Sequence, residues 1–260
     1  MQVVILCGGM GTRIRGISDD LPKPMLPIGD RPILWHIMKS YAEQGHKDFV
    51  LCLGYKGDVI RDYFLNYRTK SNDITVSLGS HDEIKFHGDN HNEDWTVTLV
   101  ETGETTQTGG RLSIAKKYLD TGERFLLTYG DGLSSVKIDD LVAFHQQNGQ
   151  IVTVTGVHPP GRFGEIEADQ NGVVTGFNEK PQTSSGRISG GYFVCDYEVF
   201  DFINEDKTTV FEEEPIRKLV EQKKLGVFEY DGFWQCMDTA RDWNYLNDIY
   251  AKGQVPWMHS

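Results

Sequence analysis

The run Val3-Val4-Ile5-Leu6-Cys7, followed at once by Gly8-Gly9-Met10-Gly11, constrains this chain more than any other feature. Five consecutive apolar residues cannot alternate between core and water. They predict a strand buried on both faces, as in a parallel sheet. The glycines end it abruptly and leave backbone N–H groups with no Cβ in front of them, a shape suited to an anion. Thr12 and Arg13 add a hydroxyl and a permanent cation directly after the turn, and Lys23 follows between Pro22 and Pro24. Together these predict a phosphate cradle. Two other phosphate loops fit less well. G-x-G-x-x-G begins at Gly9-Met10-Gly11, but Ile14 stands where the third small residue belongs, and no G-x-x-x-x-G-K-[ST] run occurs.

The rhythm of apolar run and amphipathic segment then repeats. Arg31 to Ala42 predicts a helix with Pro32 at its first position, Asp30 as cap and Gly45 as stop, and with Leu34, Ile37, Met38, Tyr41 and Ala42 toward the sheet. Phe49–Leu53 is a second buried strand, and Val59-Ile60 with Tyr63-Phe64 and Tyr67 marks a second helix. Trp95–Val100, Phe125–Tyr129, Ile151–Val157 and Ile188–Cys195 read as further strands. Between them lie a helix with Leu112, Ala115, Tyr118 and Leu119 on one face, and another through Ile138, Leu141, Val142 and His145, with His145 on its surface. Tyr197–Ile203, Phe211–Gln222 and a last segment to about Lys252 read as helices. The expected fold is α/β: a Rossmann-like, mixed but mostly parallel sheet flanked by helices, with a small β insertion, in one domain over residues 1–260. Residues 68–94 interrupt the pattern. Their histidines, His81, His87 and His91, match no zinc spacing, and the segment reads as a solvated excursion or an oligomer-contact flap.

Charge narrows the partners. A formal net charge of −12 argues against nucleic acid, whose backbone demands a basic surface. No apolar stretch approaches a membrane span, and the N-terminus lacks the basic and cleavable parts of a signal peptide. Cys7, Cys52, Cys195 and Cys236 are scattered among apolar and aromatic neighbours, with no C-x-x-C, and read as buried free thiols of a reducing compartment, the cytoplasm.

Other residues carry two readings each. Asp131, in Gly130-Asp131-Gly132, is a carboxylate at the carboxyl end of a strand, where open α/β sheets bind ligands, or simply an Asp-Gly turn. Asp238 is a second strand-end carboxylate or a helix cap. The loop holding Thr106, Gly109, Gly110 and Arg111 is a wall of a nucleotide site or a polar turn. Gly190-Gly191 permits close approach of a ligand or of another strand.

Taken in order, G-G-x-G-T-R, P-K-P-M, T-G-G-R-L, Y-G-D, P-P-G-R-F-G, E-K-P and F-W-x-x-M-D-T resemble the sugar-phosphate nucleotidylyltransferases over essentially the full chain. T-G-G-R-L is similar to their cytidylyltransferase branch. The resemblance implies Mg²⁺-dependent transfer of a cytidylyl group from CTP to a sugar 1-phosphate, α-D-glucose 1-phosphate in that branch, with release of diphosphate. It implies Arg13 and Lys23 as catalytic cations, and Asp131 and Asp238 as magnesium ligands. Leu6, Cys7, Gly8, Gly9, Gly11, Thr12, Thr106, Gly110, Arg111 and Gly130 would line the nucleotide, and Arg162, Gly164, Glu179, Lys180 and Gly191 the sugar phosphate. It also implies a homo-oligomer, a trimer or hexamer. The same chemistry with dTTP or UTP or with another phosphorylated substrate, and a non-catalytic nucleotide sensor, remain alternatives; Ile14 weighs against a nicotinamide oxidoreductase.

Overall fold

The computed structural model describes residues 1–9, 20–79, 83–87, 93–159, 165–168, 174–178 and 186–259, with 165–168 and 174–178 as backbone alone. Seven strands form the central sheet: β1 (Val3–Leu6), β2 (Asp48–Leu53), β3 (Thr96–Glu101), β4 (Phe125–Tyr129), β5 (Val152–Val157), β6 (Ile188–Cys195) and β7 (Leu225–Tyr230). Their spatial order is β7-β5-β6-β4-β1-β2-β3. β6 pairs antiparallel with β4 and β5, and every other pairing is parallel. The mostly parallel α/β sheet expected from the sequence is therefore present.

β1 explains why its residues are apolar without alternation. Val3, Ile5 and Cys7 enter one core, while Val4 and Leu6 enter the other on the opposite face. The first core is filled by α1 (Ile33–Glu43), α2 (Gly57–Leu65), α4 (Ile138–Asn148) and α6 (Ala240–Ala251). The second is filled by α3 (Thr108–Ala115), α5 (Glu214–Glu221) and the 3-10 segment Tyr197–Phe202. Two helical layers thus cover both faces, and the carboxyl edge of the sheet, where α/β proteins of this kind bind ligands, lies between them.

Some local expectations need correction. α1 starts at Ile33, because Arg31–Pro32 pairs with Pro27–Ile28 in a small hairpin, and the Asp30 carboxylate accepts from the Tyr250 hydroxyl instead of capping the helix. Tyr118 is exposed, because the chain tightens after Ala115 into a 3-10 turn that rotates it off the buried face. His145 is buried, not on the surface: its Nδ1 meets the Thr153 hydroxyl at 2.8 Å and its Nε2 lies 3.2 Å from Asp196. α5 begins three residues later than expected, since Glu213 has non-helical backbone angles (φ −101°, ψ −105°) just before Glu214-Pro215. Cys7, Cys52 and Cys195 are buried free thiols, and Cys236 is half-buried.

Strands Asp73–Ser77 and Glu83–His87 form an isolated exposed hairpin in the polar excursion, and His81 and His91 fall outside the described residues. Among the described residues no group of three His, Cys, Asp or Glu side chains could hold a metal, and no helix is long and apolar enough to cross a membrane.

Candidate active site at the carboxyl edge

Register places the candidate residues side by side. Leu6 is level with Cys52 and Tyr129, so β1, β2 and β4 end together. The Cys7 amide donates to Cys52 O at 3.0 Å and the Gly130 amide to Leu6 O at 3.1 Å, which ties the glycine turn to both neighbours. Beyond Asp131 the chain enters a short strand, Gly132–Ser134, which pairs antiparallel with Trp234–Cys236. The Met237 amide then donates to Asp131 O at 2.8 Å. This pairing carries Asp238, from the far end of the chain, to the end of β4.

Lys23 completes the group. Pro22 and Pro24 fix a 3-10 turn over Lys23–Met25. A Cβ built on Gly130 would lie 3.0 Å from Pro24 Cγ, so the turn rests on Gly130. From there Lys23 Nζ reaches Asp131 Oδ2 at 2.7 Å and Asp238 Oδ1 at 2.5 Å. Burial alone would lower the Lys23 pKa. The Asp131 charge and hydrogen bonds to both carboxylates outweigh it and hold the ammonium above its ordinary value. The cation is therefore fully formed at neutral pH.

Two carboxylates that converge on one cation also suit a hard divalent ion, which prefers oxygen ligands. The residues present fit magnesium on that ground.

Asp238 is itself held in place. It is not the helix cap: Thr239 caps α6 in a capping box with Asp242. The Asp242 carboxylate accepts from the amides of Asp238 at 3.1 Å and Thr239 at 2.8 Å. The T-x-x-D pattern at Thr239–Asp242 is the sequence signature of this cap, one residue after Asp238. The Cys236 thiol lies 3.5 Å from Asp238 Oδ2, and burial, then the Asp238 and Asp131 charges, push its pKa up to about 12.

Arg111, expected near base or phosphates, lies beneath the glycine turn. It is 2 % exposed. Its guanidinium donates to Leu53 O at 2.9 Å, Thr102 Oγ1 at 2.6 Å and Glu104 O at 3.2 Å. A Cβ on Gly8 would lie 2.0 Å from Arg111 Cζ, so Gly8 is glycine because the guanidinium occupies the space of a side chain. Among the described residues no carboxylate is within ion-pairing distance of it. A buried positive charge against Gly8 raises the potential at this edge of an otherwise acidic protein.

The remaining residues divide plainly. Leu6 and Cys7 are buried, and burial raises the Cys7 thiol pKa well above its ordinary value. Gly9 is exposed at the turn. Thr106 is buried and donates to Thr102 O at 2.7 Å. Gly110 lets the chain at Asp206-Lys207 pack against α3, where a Cβ would meet Asp206 O at 2.7 Å. Gly190 packs against β5, with Val157 Cγ1 2.9 Å from a built Cβ, and Gly191, at φ +76°, lies under the Tyr129 ring. Gly11, Thr12, Arg13, Arg162, Gly164, Glu179 and Lys180 lie outside the described residues.

A doubly wound sheet with its charged groups gathered where parallel strands end is a nucleotide-binding type of α/β protein. Within that class this chain belongs to the nucleotidyl transferase family, whose model matches residues 2–244. It is 46% identical to the glucose-1-phosphate cytidylyltransferase of Salmonella typhi over 257 residues, 99% of this chain and 98% of that relative. It is 45% identical to the glucose-1-phosphate cytidylyltransferase of Salmonella typhimurium (strain LT2), with the same coverage. The crystal structure of HddC from Yersinia pseudotuberculosis shares the fold, with a TM-score of 0.68 over 96% of this chain and 99% of that one, at 22% identity.

Proposed function

We propose that this protein transfers a cytidylyl group from CTP to α-D-glucose 1-phosphate, forming CDP-glucose and releasing diphosphate. The reading rests on one observation above all: 46% identity over nearly the full length of a glucose-1-phosphate cytidylyltransferase, in a chain that also gathers Lys23, Asp131 and Asp238 at the carboxyl edge of its sheet.

The reaction joins two anions that repel each other. A sugar phosphate has its second pKa near about 6, so its attacking oxygen is already ionised at neutral pH and no strong general base is needed. The protein must supply charge and alignment. The amides of Gly8, Gly9, Gly11 and Thr12 receive the triphosphate, with the backbone of Leu6, Cys7 and Gly130 beside them and the charge of Arg111 below. Thr106 and Gly110 shape the wall that accepts the base. Arg13 neutralises the departing diphosphate, and Lys23 turns its ammonium to the α-phosphate under attack. Lys180, with Arg162, Gly164, Glu179 and Gly191, holds the acceptor phosphate and sugar in line. Asp131 and Asp238 would hold magnesium, which supplies charge neutralisation on the nucleotide phosphates when bound.

The protein acts as a single nucleotidylyltransferase domain, in the cytoplasm, as a trimer or hexamer. Diphosphate release measured with CTP, UTP, dTTP and ATP against a panel of sugar 1-phosphates tests the reading. CTP with glucose 1-phosphate should give the highest kcat/KM; preference for another pair, or no release with any, overturns it.

A further inference from the structure

Glu212 is exposed, yet both its carboxylate oxygens are engaged, and they reach two different walls of the site. Oε1 accepts from the hydroxyl of Tyr129, the last residue of β4 and two positions before Asp131. Oε2 accepts from Thr108 Oγ1 at 2.5 Å, the first residue of α3 in the T-G-G-R-L run. The Thr108 hydroxyl in turn accepts from the Phe211 amide at 2.9 Å, so the segment that carries Glu212 is fastened to α3 next to it. The Tyr129 ring covers Gly191, where a built Cβ would lie 2.7 Å from its Cδ2. Its phenol cannot swing free without leaving both Glu212 and the glycine.

We infer that Glu212 is a positioning residue that joins the acceptor-side wall, Tyr129 over Gly191, to the nucleotide-side loop at Thr108. A bidentate carboxylate suits this task, because each oxygen takes a strong charge-assisted hydrogen bond from one wall. Opening either bond frees one wall and leaves the other. The inference rests on the proposed cytidylyl transfer, since it assigns the two walls to the two substrates.

The test compares the wild-type enzyme with Tyr129→Phe, Thr108→Val, Thr108→Ser, Glu212→Ala and the Glu212→Ala/Tyr129→Phe double variant. KM for each substrate and the melting temperature are measured for all six. Tyr129→Phe should raise KM for glucose 1-phosphate about fivefold and leave KM for CTP unchanged, as loss of one such hydrogen bond predicts. Thr108→Val should do the reverse, and Thr108→Ser should restore the wild-type value. Glu212→Ala should raise both, and adding Tyr129→Phe to it should raise the sugar-phosphate KM no further. Unchanged KM values in Glu212→Ala, or additive effects in the double variant, overturn the inference. If wild type releases no diphosphate, the proposed reaction fails instead. The stability cycle still decides the tie: the melting-temperature losses of Glu212→Ala and Tyr129→Phe must be less than additive, and full additivity overturns it.

Discussion

Lys23 and Asp238 lie 215 residues apart in the chain and 2.5 Å apart in space. The contact closes the two ends of the polypeptide over one sheet edge, with Asp131 at 2.7 Å as the second partner of the same ammonium. Each group depends on the others. Without the lysine, two carboxylates would face each other in a half-buried site; without either carboxylate, the lysine would be a cation with much of its solvation removed.

This sharing makes Lys23 a competitor for any divalent cation in the absence of nucleotide. Lys23→Met should therefore bind Mg²⁺ more tightly than wild type in calorimetric titration without CTP, by about tenfold for one lost opposing unit charge. The same variant should lose turnover by about a hundredfold or more, because the α-phosphate loses its cation. Weaker or equal metal binding would show that the ammonium does not oppose it.

Arg111 and Gly8 give a stability prediction. Arg111→Lys cannot reproduce the forked bonds to Leu53 O, Thr102 Oγ1 and Glu104 O, and should cost about 2–4 kcal/mol in urea unfolding. Gly8→Ala forces a methyl group into the guanidinium and should cost about 1–3 kcal/mol. Gly9→Ala, with no described atom within 4 Å of its built Cβ, should be nearly neutral by the same measurement.

Thr239 and Asp242 are predicted to act on both the fold and the site. Asp242→Ala removes half of a capping box and the acceptor of the Asp238 amide, and should destabilise the protein by about 1–2 kcal/mol. Mg²⁺ binding in the presence of CTP should weaken as well, because Asp238 loses the contact that aims it. A melting-temperature loss with unchanged metal affinity would separate the cap from the site.

The buried histidines set an acid limit. Burial lowers the pKa of His36 from its ordinary 6.5, and likewise that of His145. His36 is satisfied as a neutral ring, with Nε2 at 2.8 Å from Ile28 O and Nδ1 accepting from Trp257 Nε1 at 3.3 Å. The unfolded chain takes up these protons first, so stability rises with pH through this window and falls on acidification below about 6.5. The urea midpoint should drop between about pH 7.5 and about pH 5.5, and drop less in His36→Gln, which has no titrating ring. An equal drop in both proteins would remove His36 from the account.

Much of the fold is written in local pattern, and much of the site is not. Val3–Cys7 and Phe125–Tyr129 declare themselves as central strands because both of their faces must be apolar. The reversed direction of β6 has no such signal, since a buried strand reads alike in either direction. His145 looks polar in any helical pattern; only Thr153 and Asp196, from other elements, make its burial tolerable. Asp131 and Asp238 could be singled out from their strand-end positions and the family motifs. That Lys23 pairs with both carboxylates, that Arg111 lies under Gly8 and that Glu212 bonds both Tyr129 and Thr108 are facts of tertiary packing, with no local trace in the chain.

The most direct test of the account is electron paramagnetic resonance titration of Mn²⁺, in place of Mg²⁺, with CTP present, for wild type, Asp131→Asn and Asp238→Asn. Each substitution should weaken Mn²⁺ binding by at least about tenfold while far-ultraviolet circular dichroism shows the fold intact. Wild-type affinity in both variants would place the metal away from the end of β4 and contradict the assignment of these two carboxylates.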